Sequence, residues 1–179
     1  MPSSSSTPVV IVSGPVGVGK TTVAEELSEI LNERRTPHTL IDFDQLRYTY
    51  PRPLDDPWGN RLAFENLASI WGNCVSAGAL NLIVASVVET SDFIDQIEAA
   101  IPDAEPVTVQ LAAEVGTLHA RVRRREIGSG LDWHLNRAAE LARILESEDV
   151  PCDQRLVTDD LSVRQIAQRI FEIASWRLA

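Results

Sequence analysis

Residues 9–22, Val-Val-Ile-Val-Ser-Gly-Pro-Val-Gly-Val-Gly-Lys-Thr-Thr, constrain the fold more than any other segment. An apolar, β-branched run stops at Gly14, and Gly19-Lys20-Thr21 opens a stretch with helical periodicity. This is G-x-x-x-x-G-K-[ST] between a strand and a helix, the context of a phosphate-binding loop. Glycines at 14, 17 and 19 permit backbone conformations that side-chain-bearing residues resist. The loop N–H groups, with Val16 and Val18 between the glycines, then face an anion together with the following helix N-terminus. In such a loop Lys20 reaches the β- and γ-phosphates, the Thr21 hydroxyl ligates Mg²⁺, and Thr22 continues the cradle. The segment predicts a binder of a nucleoside triphosphate and a parallel α/β sheet behind it.

The rest of the chain fits that sheet. Short apolar runs alternate with helical stretches, the pattern of parallel strands covered by helices on both faces. Strands are expected at Val9–Ser13, His38–Asp42, Leu80–Val88, Pro106–Ala112 and Gln154–Thr158. Helices are expected from Lys20 to about Arg35, from Asn60 to Ala77 with Ala63, Leu67, Ile70, Trp71 and Cys74 inward, and from a Ser91 cap through Ile101. Others start near Glu114, run from about Trp133 to Glu146, and close the chain with Val163, Ile166, Ala167, Ile170, Phe171 and Ala174 inward. The expected architecture is one domain over 9–179, a five-stranded parallel sheet ordered 2-3-1-4-5, with a lid at about 121–134. Residues 1–8, rich in Ser and Pro and without an apolar run, read as a disordered tail rather than a secretory leader.

Composition removes several classes of partner. A net charge of −10 argues against nucleic acid, whose binding is dominated by Lys and Arg on phosphates. No apolar run approaches the roughly 20 residues needed to span a bilayer. Cys74 and Cys152 lack metal-ligand spacing and read as buried, reduced residues of a cytoplasmic protein, a monomer or homodimer. His38, His119 and His134 share no ligand spacing either.

Two further segments carry chemistry. Leu40-Ile41-Asp42-Phe43-Asp44-Gln45-Leu46-Arg47 closes the second strand, and ligands of open α/β sheets bind beyond such carboxyl ends. Strand alternation turns Asp42 and Asp44 the same way. One carboxylate can organise Mg²⁺ while the other accepts a hydroxyl proton, or both can cap the next helix. The run Arg121, Arg123, Arg124, Arg125 is a concentrated positive site in an acidic chain, with Arg121 and Arg125 on one helix face. It is a lid charge or a solvated helix face. Around the proline-rich stretch 48–59, Trp58 either walls a pocket or anchors packing, and Arg52 and Arg61 flank it.

Asp-Phe-Asp-Gln-Leu-Arg resembles the D-G-D-x-x-R segment of adenylylsulfate kinases and the D-x-D of shikimate kinases. Gluconate kinase and chloramphenicol phosphotransferase have a related acidic strand end. The resemblance implies Asp44 as base or acceptor contact, Asp42 as the metal-side carboxylate and Arg47 as an acceptor ligand. Phe43 stands where adenylylsulfate kinases carry Gly. The arginine run is similar to the lid of metabolite kinases, which implies Arg121 near the nucleotide and Arg125, or Arg124, over the transferring phosphoryl group. GTPase segments N-K-x-D and a D-x-x-G after the third strand are missing, and that strand ends in Ser86 and Glu89 without an aspartate. Glu89 contacts substrate or a metal-bound water, or merely enters the next helix. The expected activity is transfer of the ATP γ-phosphoryl group to a hydroxyl of a small molecule. An ATP-binding switch and a slow ATPase are the alternatives.

Overall fold

The computed structural model describes residues 6–125, 130–147 and 149–178. The tail expected at 1–8 lies outside them up to residue 5. Its end does not, because β1 (Thr7–Ser13) starts two residues before the apolar run, with Thr7 and Pro8 paired to Ala104 and Glu105. The chain continues through α1 (Lys20–Glu33), β2 (His38–Asp42), a 3-10 turn (Phe43–Arg47), α2 (Asn60–Ser76) and β3 (Asn81–Ala85). Then come α3 (Ser91–Ala100), β4 (Ala104–Ala112), α4 (Val115–Arg125), α5 (Leu131–Ile144), β5 (Gln154–Val157) and α6 (Val163–Ile173). The five strands form one parallel sheet, as the alternating pattern predicts, and their order β2-β3-β1-β4-β5 is the one the kinase resemblance implies.

Strand alternation splits the core in two. Val10, Val12, Ile83 and Ala85 face α1, α4 and α6, where Leu27, Leu118 and Ile166 pack. Val9, Ile11, Leu82 and Val84 face α2 and α3, against Leu67, Trp71 and Ile97. A smaller cluster, Leu141, Leu145 and Val150, seats α5 on Val16 and Val87, residues that follow β1 and β3. That contact brings α5 over the carboxyl ends of the strands, where ligands of such sheets bind.

Several local expectations are corrected. Thr90, not Ser91, is the N-cap of α3, and it makes no side-chain capping bond. Ile70 and Val163 are exposed, because α2 and α6 each bury a narrower stripe than their apolar residues suggest. Cys152 is exposed and Cys74 only half-buried, so neither is a core residue. Among the described residues no helix is long and apolar enough to cross a membrane.

Candidate active site

Between β1 and α1 the backbone takes the conformations the glycines allow. Gly14 and Gly17 have φ of 141° and 83°. Space is as decisive as angle. A Cβ on Gly14 would lie 2.5 Å from the Leu111 carbonyl oxygen, and one on Gly17 would lie 2.7 Å from Val122 Cγ2. The loop therefore nests against β4 and α4. Gly19 is the N-cap of α1 without a side-chain cap, so the amides of the first turn have no helical acceptor and face the loop's concave side.

Lys20 lies across this loop. Its Nζ donates to the carbonyl oxygens of Gly14 (3.0 Å) and Pro15 (3.2 Å). Burial pushes its ammonium down to about 8; Asp44 opposes that shift, Arg125 adds to it, and Asp42 opposes it. Both carboxylates and Arg125 thus act electrostatically on one ammonium, which joins the loop, the acidic strand end and the arginine helix in one site.

The two acids reach it by different routes. The Thr21 hydroxyl donates to Asp42 Oδ2 (3.0 Å), while Asp42 Oδ1 accepts from the Asp44 amide (3.1 Å) and caps the 3-10 turn. Strand alternation does not extend to Asp44. Phe43 turns into the core, 1% exposed, and the helical turn rather than the pleat aims Asp44. Asp42 caps the turn, and both acids act on Lys20. Thr21 and Asp42 offer a hydroxyl and a carboxylate 3.0 Å apart. Beyond β3 the Ser86 hydroxyl is buried and without a partner among the described residues. Hard oxygen donors fit Mg²⁺, which takes one or two protein ligands and completes its shell with phosphate and water. No group of three His, Cys, Asp or Glu able to cage a metal occurs among the described residues, and this ion needs none.

Beside the phosphate loop opens a cleft of about 590 Å³. Val16 links it to the loop, and Asp44, Arg47, Trp58 and Phe64 form one wall. Glu89, Asp92, Phe93 and Gln96 form the second, and Trp133, Arg137 and Leu141 from α5 the third. Arg47 pairs with Asp44 (3.1 Å) and lies over the Phe43 ring at 5.5 Å. Phe43 packs on Phe64 and Phe93, with centroids at 4.7 and 5.0 Å. Arg137 bridges Glu89 (2.6 Å) and Glu140 (2.9 Å).

Trp58 is therefore a pocket wall, and Glu89 enters the cleft. Arg52 and Arg61 do not: Arg52 donates to the Pro57 carbonyl, and Arg61 pairs with Asp55 and Glu65. Arg121 donates to the Val18 carbonyl (3.1 Å) and to Thr158 Oγ1 (3.3 Å), so it braces the phosphate loop from behind. The lid expected at about 121–134 falls partly on residues 126–129, outside the described ones. Its flanks are tied together, since His119 Nε2 bonds the Leu135 carbonyl (3.1 Å). Within α5, His134 Nδ1 bonds the Gly130 carbonyl (2.9 Å). Sequence reasoning missed Trp133 and Arg137. Their signal was the i, i+4, i+8 spacing of Trp133, Arg137 and Leu141, which puts all three on one helix face.

A glycine-nested phosphate loop, two carboxylates at the end of β2 and a separate cleft on a 2-3-1-4-5 sheet define a P-loop kinase, a phosphotransferase acting on a small molecule. Residues 6–124 match the family model described as adenylylsulphate kinase, and the chain belongs to that family. Solved structures share the fold. A tunicamycin resistance protein of Deinococcus radiodurans is 19% identical, with TM-score 0.64, covering 97% of this chain and 98% of that one. Mycobacterium tuberculosis APS kinase CysC, in complex with AMPPNP and APS, is 20% identical with TM-score 0.59, covering 94% and 98%. Acinetobacter baumannii shikimate kinase, in complex with shikimate, is 16% identical with TM-score 0.56, covering 93% and 92%. No curated protein sequence matches the chain.

Proposed function

We propose that the protein transfers the γ-phosphoryl group of ATP, with Mg²⁺, to a hydroxyl of a small molecule. The observation that carries this reading is the position of Asp44. Among the described residues it alone of the acids both acts on Lys20 and lines the cleft, so one carboxylate faces the donor phosphates and the acceptor. Gly14–Thr22 hold the phosphates, and Lys20 exchanges its two carbonyl acceptors for phosphate oxygens. Thr21 and Asp42 would hold Mg²⁺, which would supply neutralising charge to the phosphate oxygens. Asp44 accepts the hydroxyl proton as the acceptor oxygen–phosphorus bond forms and the bond to the leaving ADP oxygen breaks. Arg47 orients Asp44 and contacts the acceptor. Arg125, close to Lys20, adds positive charge where it develops in the transition state, and Arg121 keeps the loop in shape.

The test is ATP consumption against a panel of hydroxyl-bearing metabolites and antibiotics, with Asp44→Asn as the paired variant. Asp44→Asn is expected to lower kcat by about 10²–10⁴. Unchanged acceptor phosphorylation in this variant removes Asp44 from the role of base. Acceptor-independent hydrolysis alone would make the protein an ATPase.

A further inference from the structure

The cleft beside Asp44 has a chemistry of its own. Two indoles line it from separate elements, Trp58 before α2 and Trp133 on α5, and they are 71% and 63% exposed. Large aromatic surfaces left in water at the mouth of a cleft mark a binding surface for an apolar body. Phe64 and Phe93 continue that surface inward.

Among the described residues that line it, both cations are already paired. Three carboxylates line the cleft, Asp44, Glu89 and Asp92, against two guanidiniums, Arg47 and Arg137. Arg47 is held by Asp44 at 3.1 Å. Arg137 is held by two carboxylates, Glu89 at 2.6 Å and Glu140 at 2.9 Å, and is only 27% exposed. An anionic acceptor would have to break a part-buried ion pair or sit beside unmatched carboxylates, and either is unfavourable. Arg47 Nε is buried and without a partner among the described residues, a donor not committed to Asp44.

Building on the kinase reading, we propose that the acceptor carries no anionic group and presents a flat apolar body to Trp58 and Trp133, with its reacting hydroxyl at Asp44. The sulfated nucleotide after which the family model is described does not meet this requirement.

The test uses matched glycosides with the full chain saturated by AMPPNP and Mg²⁺, binding being read by saturation-transfer NMR titration. 4-Nitrophenyl β-D-glucopyranoside is expected to bind at least about tenfold more tightly than 4-nitrophenyl β-D-glucuronide, which adds only a carboxylate. The same margin is expected over methyl β-D-glucopyranoside, which lacks the ring, and over adenosine 5′-phosphosulfate. Trp58→Ala and Trp133→Ala should each weaken the neutral aryl glycoside by about tenfold. Glu89→Gln, which releases Arg137 from one carboxylate, should bring the glucuronide to within about twofold of the glucoside. Equal or tighter binding of the glucuronide or the phosphosulfate by the wild type overturns the proposal, as does binding of none of the glycosides. Phosphoryl transfer from labelled ATP is scored separately. A preserved ranking without transfer to any acceptor sinks the kinase reading, and transfer with a reversed ranking sinks this inference alone.

Discussion

Nucleotide affinity should fall steeply with alkaline pH, because the lysine that meets the phosphates has an ammonium pushed down to about 8. The main cause is burial, and the positive charge of Arg125 adds to it. Bound triphosphate supplies several negative charges in place of the Gly14 and Pro15 carbonyls and restores the protonated form. Binding is then coupled to proton uptake at every pH between the free and the bound value. With a free value of about 8, Lys20 is roughly one-tenth neutral at pH 7 and nine-tenths neutral at pH 9. The dissociation constant for AMPPNP with Mg²⁺ should therefore rise about tenfold between those pH values, ~1.4 kcal/mol. Isothermal titration at pH 8.5 in two buffers of different ionisation enthalpy should report uptake of about three-quarters of a proton. In Lys20→Arg the remaining affinity should not vary over this range, because the guanidinium does not titrate. A flat wild-type profile with no buffer dependence would refute the argument. Without nucleotide the sign for stability is opposite: between about 8 and 10.5 the unfolded chain binds more protons, so the free energy of unfolding rises with pH.

Two other perturbations follow from the walls of the site. Phe43→Ala removes a fully buried ring packed on Phe64 and Phe93 and should cost about 3–5 kcal/mol in urea unfolding, whereas Phe43→Leu should keep most of it. Asp56 accepts the amides of Asn60 (2.8 Å) and Leu62 (3.0 Å) at the start of α2, and those bonds, Leu62's first, hold its carboxyl below the usual value. Its contribution is complete above the ordinary carboxylate pKa and is lost as pH falls through the depressed one. Asp56→Ala should lower the melting temperature at pH 7 by about 2–4 °C, with the difference shrinking toward pH 3.

The donor half of the site was legible because it is local. Gly14, Lys20 and Thr21 lie within eight residues, and β2 is bounded as its apolar run predicts, at His38 and Asp42. The acceptor half was not, because it is assembled from three elements far apart in sequence. Arg137 reads as an ordinary helix-surface cation until α5 is seated on Val16 and Val87, which places it 2.6 Å from Glu89. Asp42 and Asp44 both act on Lys20, though pleat alternation is not what brings them there. Pleat alternation failed where Phe43 left the strand and entered the core, since burying a large ring outweighs continuing a short edge strand. The lid resemblance implies Arg121 near the nucleotide, and its guanidinium bonds the Val18 carbonyl of the phosphate loop and Thr158 Oγ1.

Phe43 also separates what can vary in this site from what cannot. It stands where the D-G-D pattern of adenylylsulfate kinases has Gly, and its ring both anchors the 3-10 turn and floors the cleft with Phe64 and Phe93. A change there alters the cleft and the aim of Asp44 and Arg47 together, so acceptor choice at this position is tied to stability. Trp58 and Trp133 are exposed, and substitutions at such positions usually shift stability by about 0.5 kcal/mol or less. The cleft therefore has an inner ring whose identity the fold dictates and an outer ring free to follow the acceptor. Divergence of acceptor chemistry on this scaffold is cheapest at the two tryptophans, with the phosphate loop and Asp44 left untouched.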